Sequence, residues 1–267
     1  MTGVQTCALP ISDVETTLNP VIHPVHVADL LGVLKLGAAD FEAKPTHGVF
    51  ITLIYGMIAL FTALIGLGEN FLPLLFPLLA GTAIIGPLAA SGLYELSRRR
   101  EQGLDYSWHH VFDVIHAPSR WGIAAMGLVL AILFVAWLVT AQLLYNAFFA
   151  GAHPDTLILM WEQVFSTRAG LSLLVAGSAI GFIYSVVVYA ATVVSLPMML
   201  HHKISFGKAV LTSVRVVQHN WRAMAAWYCI VVAMVLLGSL PLFLGLAIVV
   251  PILGHATWHL YRKAVSV

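Results

Sequence analysis

Histidine is the one reactive residue type present in excess, with twelve in 267 residues. His255 and His259 are four positions apart and share one face of any helix that carries them. His201 and His255 each lie four residues after a proline, Pro197 and Pro251, and Ser91 holds the same place after Pro87. Imidazoles on neighbouring helices ligate transition metals and haem iron. That chemistry requires His201, His255 and His259 to converge. Against it, no Cys, Asp or Glu joins these histidines within the apolar runs of the chain. The plainer reading puts imidazoles near helix ends at the level of lipid headgroups, or capping carbonyls. His109–His110 and His201–His202 read as solvated pairs. No catalytic residue, cofactor-binding residue or metal ligand is assigned, and no cofactor is expected.

Other polar groups suit packing better than catalysis. Glu95 and His259 both fall eight residues after their prolines, and either bond to each other or are solvated. Gln142 and Asn146 lie one turn apart in an apolar run, where polar pairs hold helices together. With Ser91 they are also the residues that would line a path for a small neutral solute. Gly177, Gly181 and Ser185 recur every four residues and permit close helix approach. Arg98, Arg99 and Arg100 form a topology signal that also suits anionic headgroups. No glycine-rich phosphate loop, zinc protease motif or nucleophile–base pair is present. The apolar runs also lack the mid-depth ionisable residues usual in pumps and proton-coupled transporters.

The elements that must position these residues follow from composition. The chain is 60% hydrophobic and 9% charged, whereas soluble domains carry roughly a quarter charged residues. Lipid is therefore its main solvent. A net charge of +1 without a basic stripe excludes a nucleic-acid partner. Two cysteines, Cys7 and Cys229, make no disulfide framework. Six runs free of Asp, Glu, Lys and Arg predict transmembrane helices: Val49–Leu67, Phe71–Tyr94, Trp121–Phe149, Ala169–Leu200, Ala223–Leu240 and Leu242–Tyr261. Threading them alternately leaves every Lys and Arg except Arg168 on one side, which predicts that both termini are cytoplasmic.

The connections on that side are themselves patterned. HVADLLGVLKLGAADF, WHHVFDVIH and FGKAVLTSVRVVQH predict three amphipathic helices, lying at the interface or packed on one another as a cap. An internal repeat links them. PLAASGLYELSR from Pro87 and PILGHATWHLYR from Pro251 share an aromatic, a Leu and an Arg at the same offsets (Tyr94 and Trp258, Leu96 and Leu260, Arg98 and Arg262), and SLPMMLHHK around Pro197 is a weaker copy. Upstream, Asp40 and Asp113 each precede a proline by five positions, while Asn220 stands where the third unit would have that proline. The expected architecture is all-α. It is a polytopic membrane protein of six transmembrane helices in three pseudo-repeats (26–100, 105–203 and 205–263), each with an interfacial helix and a return helix kinked at Pro87, Pro197 or Pro251.

PLAASGLYELSRR, VVSLPMMLHHKISFGKAVLTSVRVV and, most specifically, PILGHATWHLYRK resemble the bacterial integral membrane proteins of domain-of-unknown-function family 2189. The resemblance spans most of Val27 to Lys263 and implies a multi-pass protein of the bacterial inner membrane, with no substrate or reaction. The chain departs from the pattern after SLPMML, where His201 and His202 replace an expected acidic residue.

The opening MTGVQTCALPIS lacks the basic start and long apolar middle of a signal peptide. Residues 1–11 resemble translated sequencing-library adapter read from a GTG start codon. Residues 1–12 are therefore expected to be an artefact, 13–25 a disordered segment and 26–267 a single membrane domain. The functional expectation is a non-enzymatic structural, assembly or lipid-interacting protein, with the bilayer and other membrane proteins as partners. The alternatives are a channel or facilitator for a small neutral solute and a metal- or haem-binding redox accessory protein.

Overall fold

The computed structural model describes residues 19–45, 74–150, 156–241 and 244–267. Its α-helices are α1 (Asp29–Ala43), α2 (Leu75–Glu101), α3 (Arg120–Phe149), α4 (Leu157–Ser166), α5 (Arg168–Thr192), α6 (Ser195–His201), α7 (Phe206–His219), α8 (Trp221–Ser239) and α9 (Leu246–Ala264). A 3-10 segment covers Trp108–His116, and two short strands, β1 (Val21–Ile22) and β2 (Val265–Ser266), pair antiparallel.

Four stretches are long and apolar enough to cross a membrane: Leu75–Glu101, Arg120–Phe149, Arg168–His201 and Trp221–Ser239. The expectation of six is thus met by four among the described residues. Val49–Leu67 lies outside them. The last expected span becomes α9, whose C-terminal half carries His255, Thr257, His259, Arg262 and Lys263 and is largely buried by neighbouring helices. The membrane reading is clearest on α3. Leu128, Ile132, Val135, Val139 and Leu143 recur every three or four residues and are each more than half exposed. In water such a stripe would be a liability; in a bilayer it is the lipid-facing surface.

The fourth expected span is not one continuous helix. It breaks at Val193–Val194, between α5 and α6. Pro197 therefore sits in the first turn of α6, where proline is tolerated, and corrects the expectation of a third mid-helix kink. Pro87 and Pro251 do lie inside α2 and α9. Ser213 of α7 serves the break, accepting from the Val194 amide at 3.2 Å and donating to the Ala190 carbonyl at 2.7 Å. Gly170 lets α5 turn directly out of α4. A Cβ there would lie 2.2 Å from the Val164 carbonyl oxygen.

Each patterned connection packs chiefly against a long helix. α1 packs along α9, the 3-10 segment along α2, and α7 against α5 and α6. The middle one forms a 3-10 helix in place of the expected α-helix, with Trp108, Phe112 and Ile115 exposed. Two hydrogen-bond clamps tie connections together. Ser119 Oγ accepts from the Ile204 amide at 2.8 Å, just before α7, and Asn220 Oδ1 accepts from the Val25 amide at 2.8 Å, just before α1. Asn220 Nδ2 also donates to the His23 carbonyl at 3.1 Å. The expectation of disorder up to residue 25 is thereby corrected for 19–25: β1, His23 and Val25 are held by β2, Ala264 and Asn220.

The α1–α9 contact is close because Gly37 has no side chain. A Cβ there would come within 2.6 Å of the Ala256 Cβ and the Ile252 carbonyl oxygen, whereas one on Gly32, on the open side of α1, meets nothing within 4 Å. Gly37→Ala is expected to lower the melting temperature of the detergent-solubilised protein. Gly32→Ala should leave it unchanged or raise it, since alanine is favoured over glycine in a helix by about 1 kcal/mol. Equal responses at the two sites would contradict the packing.

Candidate functional site

Where α1, α2 and α9 meet, one carboxylate organises a buried polar cluster. Asp40 of α1 is 8% exposed. Its Oδ2 accepts from Ser97 Oγ of α2 at 2.6 Å and from His259 Nε2 of α9 at 2.9 Å, and its Oδ1 pairs with the Arg100 guanidinium. Because the Ser97 hydroxyl proton goes to Asp40, Ser97 Oγ accepts from His255 Nδ1 at 2.7 Å. The network therefore fixes which nitrogen of each imidazole carries the proton here: Nδ1 of His255 and Nε2 of His259. Burial pushes the Asp40 carboxyl up, but the bonds from His259 and Ser97 and the charges of the two imidazoles outweigh it and hold the group below its ordinary 3.8.

A second cluster adjoins on the same ends of α2 and α9. Trp258 Nε1 donates to Glu101 at 2.9 Å, and Arg262 pairs with the same carboxylate at 3.0 Å. His201 Nδ1 lies 3.1 Å from the Tyr261 hydroxyl, with its ring edge-on to Trp258. His201 and His202 are thus half-buried, not solvated, and burial with the nearby Arg262 charge pushes His202 below its ordinary 6.5. The departure after SLPMML puts an imidazole where it docks α6 onto α9.

The third cluster lies on the connection after α2. Asp105, His109 and His110 bring ligand atoms within 4.8 Å of one another. Asp105 is held down at about 2, chiefly by the Ser107 hydroxyl and also by His110 and Lys44.

These positions answer the sequence reading residue by residue. His201, His255 and His259 are not a group with mutually close ligand atoms; two turn to Ser97 and Asp40 and one to Tyr261. Glu95 and His259 do not bond to each other: Glu95 pairs with Arg98 at 2.6 Å and His259 with Asp40. Gln142 donates to Asn146 at 2.9 Å, so this pair satisfies itself along α3. Ser91 Oγ lies 3.5 Å from the Pro87 carbonyl oxygen, back along its own helix. Of the small-residue stripe, Gly181 faces Trp137 of α3 and Ser185 bonds the Tyr228 hydroxyl of α8 at 2.6 Å, while Gly177 has no neighbour where a Cβ would stand. Sequence reasoning missed the Asp40 cluster because the acid that joins the histidines is not in an apolar run. It comes from α1, more than 200 residues away. The available signal was an acid on the apolar face of an amphipathic helix, one turn after Gly37.

Asp40→Ala is expected to destabilise the protein by about 3 kcal/mol, the lower end for breaking a buried pair, because Arg100 still reaches water. With its folded pKa depressed, Asp40 contributes its stability fully above 3.8 and loses it as pH falls through the lower folded value. The stability gap between wild type and variant should therefore be constant from neutral pH down to about pH 5 and narrow progressively below 3.8. A gap that does not narrow at all on acidification would remove the charge from the explanation.

Residues 75–201, from the start of α2 to the end of α6, match the model of the family described as predicted integral membrane protein, DUF2189. The match includes PLAASGLYELSRR and the first part of the second resembling stretch, while PILGHATWHLYRK lies beyond it. No curated protein and no solved structure matches the chain. Composition, lipid-facing helices and the family match agree that this is a multi-pass integral membrane protein whose residues 75–201 are similar to DUF2189.

Proposed function

We propose that the chain is a non-enzymatic helical scaffold of the bacterial cytoplasmic membrane. It has six spans in three units and both termini on the cytoplasmic side, and its basic end holds anionic lipid and neighbouring membrane proteins. One observation carries the lipid reading. Trp121 and Trp221 open α3 and α8, are 77% and 62% exposed, and each carries an arginine over its ring, Arg120 at 5.8 Å and Arg222 at 5.3 Å. Exposed tryptophans with adjacent arginines mark the headgroup level, and neither arginine has a carboxylate partner among the described residues. The other basic residues of α2 and α9 are engaged within the fold, Arg98 to Glu95, Arg99 to Asp113, Arg100 to Asp40, Arg262 to Glu101 and Lys263 to Asp29.

Three kinds of contact support the three units. Ser119 and Asn220, which immediately precede α3 and α8, both accept from the amide that leads into the next connection. Gly92 and Ala256, each five residues after its proline, receive the overlying segment at Val111 and Gly37. Each connecting segment lies on the return helix of the preceding unit, with α1 closing the cycle onto α9. The Asp40 cluster supports a structural role, since its acid, hydroxyl and imidazoles bond one another across three helices.

Native mass spectrometry with phosphatidylglycerol and phosphatidylcholine tests the lipid role. Phosphatidylglycerol should be retained selectively, and an Arg120→Gln, Arg222→Gln double variant should lose that selectivity. Equal retention of both lipids by the wild type would sink it. A green fluorescent protein fused after Val267 should fluoresce and an alkaline phosphatase fusion should be inactive; the reverse pattern would overturn the orientation.

A further inference from the structure

We propose that the connection after α2 is a binding site for a borderline divalent transition metal such as zinc, cobalt or nickel, ligated by Asp105, His109 and His110. Asp105 Oδ2 lies 3.2 Å from His110 Nε2 and 4.0 Å from His109 Nε2. Two ligands bonded at 2.0–2.1 Å in a tetrahedron stand about 3.3 Å apart. One pair thus already stands at coordination spacing, and all three ligand atoms lie within 4.8 Å of one another before any ion enters. Two imidazoles and a carboxylate suit this class of ion, not the all-oxygen shells of calcium or magnesium.

The surrounding groups aim the donors. Ser107 holds the other carboxylate oxygen, donating to Asp105 Oδ1 from its amide at 3.2 Å and its hydroxyl at 2.6 Å, which leaves Oδ2 turned to the imidazoles. His110 Nδ1 donates to Asp113 Oδ2 at 2.6 Å, so the lone pair of the neutral ring is on Nε2, facing Asp105. A carboxylate behind a histidine is the arrangement that orients metal-bound imidazole and raises its basicity. An Nε2 lone pair facing a carboxylate oxygen needs a cation or proton between them. Arg99 Nη2, at 3.3 Å from Nε2, now supplies part of that charge. Metal entry displaces this one contact and leaves Arg99 bound through Nε to the Asp105 carbonyl at 2.5 Å and through Nη1 to Asp113 at 3.1 Å. Lys44, 3.7 Å from Asp105 Oδ1, stays on the far side of the carboxylate. Asp105 and His109 are exposed, so water completes the coordination and the ion has an open approach.

The test is metal binding by the untagged, detergent-solubilised full chain. Calorimetry should find one equivalent of zinc, and cobalt substitution should give the visible absorption of a tetrahedral N/O site. His109→Ala combined with His110→Ala should abolish both signals. Asp105→Asn, which keeps the shape and the Ser107 turn, should weaken zinc at least tenfold. Helical circular dichroism unchanged from wild type confines the loss to the site. No stoichiometric zinc in the wild type, or an equivalent retained by the double histidine variant, overturns the proposal.

Discussion

A carboxylate removed from water has to be met by hydrogen bonds and positive charge, and Asp40 imposes that requirement on three helices at once. Its partners come from α2 and α9, so it is satisfied only when α1 is seated. Gly37, one turn earlier, allows the same helix to approach α9 closely enough for the bonds to form. The apolar contact and the polar cluster thus depend on one geometry. In a lipid-solvated protein this matters more than usual. Apolar side chains gain little by leaving hydrocarbon for a protein interior, so specificity falls to close packing and to polar groups that must find one another. Here those groups collect at the basic ends of the helices, where water is near and the cost of burying charge is lowest.

The basic end shows how one residue type serves two purposes. Arginines after a transmembrane run set orientation by their charge. In this chain Arg98, Arg99 and Arg100 follow one another on α2 and are drawn to three different carboxylates, Glu95, Asp113 and Asp40, on three different segments. A cluster that reads in sequence as a simple topology signal is, in the fold, a junction between α1, α2 and the 3-10 segment.

What was legible in the sequence was set by period and by length. The apolar runs that became α2, α3, α5 with α6, and α8 are long enough to be read without partners, and Trp121–Phe149 differs from α3 by one residue. The patterned connections were legible because their faces alternate at helical spacing, though the geometry of Trp108–His116 was not. Four features escaped. The break at Val193–Val194 depends on Ser213, which is remote in sequence and supplies the hydrogen bonds lost there. The burial of the C-terminal half of α9 by its neighbours is not encoded in hydropathy. The partners of His255 and His259 lie on other segments, and only folding joins them. The pairing of β1 with β2 joins opposite ends of the chain, where two residues carry no readable periodicity.

That last pairing and the α1–α9 seam have a consequence for synthesis. His259 follows Asp40 by 219 residues. At ribosomal rates of about 5–20 residues per second, α1 emerges on the order of 10–40 s before the helix it docks on. Throughout that interval its charged Asp40 faces water, and an apolar flank with Leu30 and Val33 has no final home. The α1–α9 contact is therefore sealed only after α9 has left the ribosome. Until then Asp40 lacks the α9 imidazole that meets its charge in the folded chain.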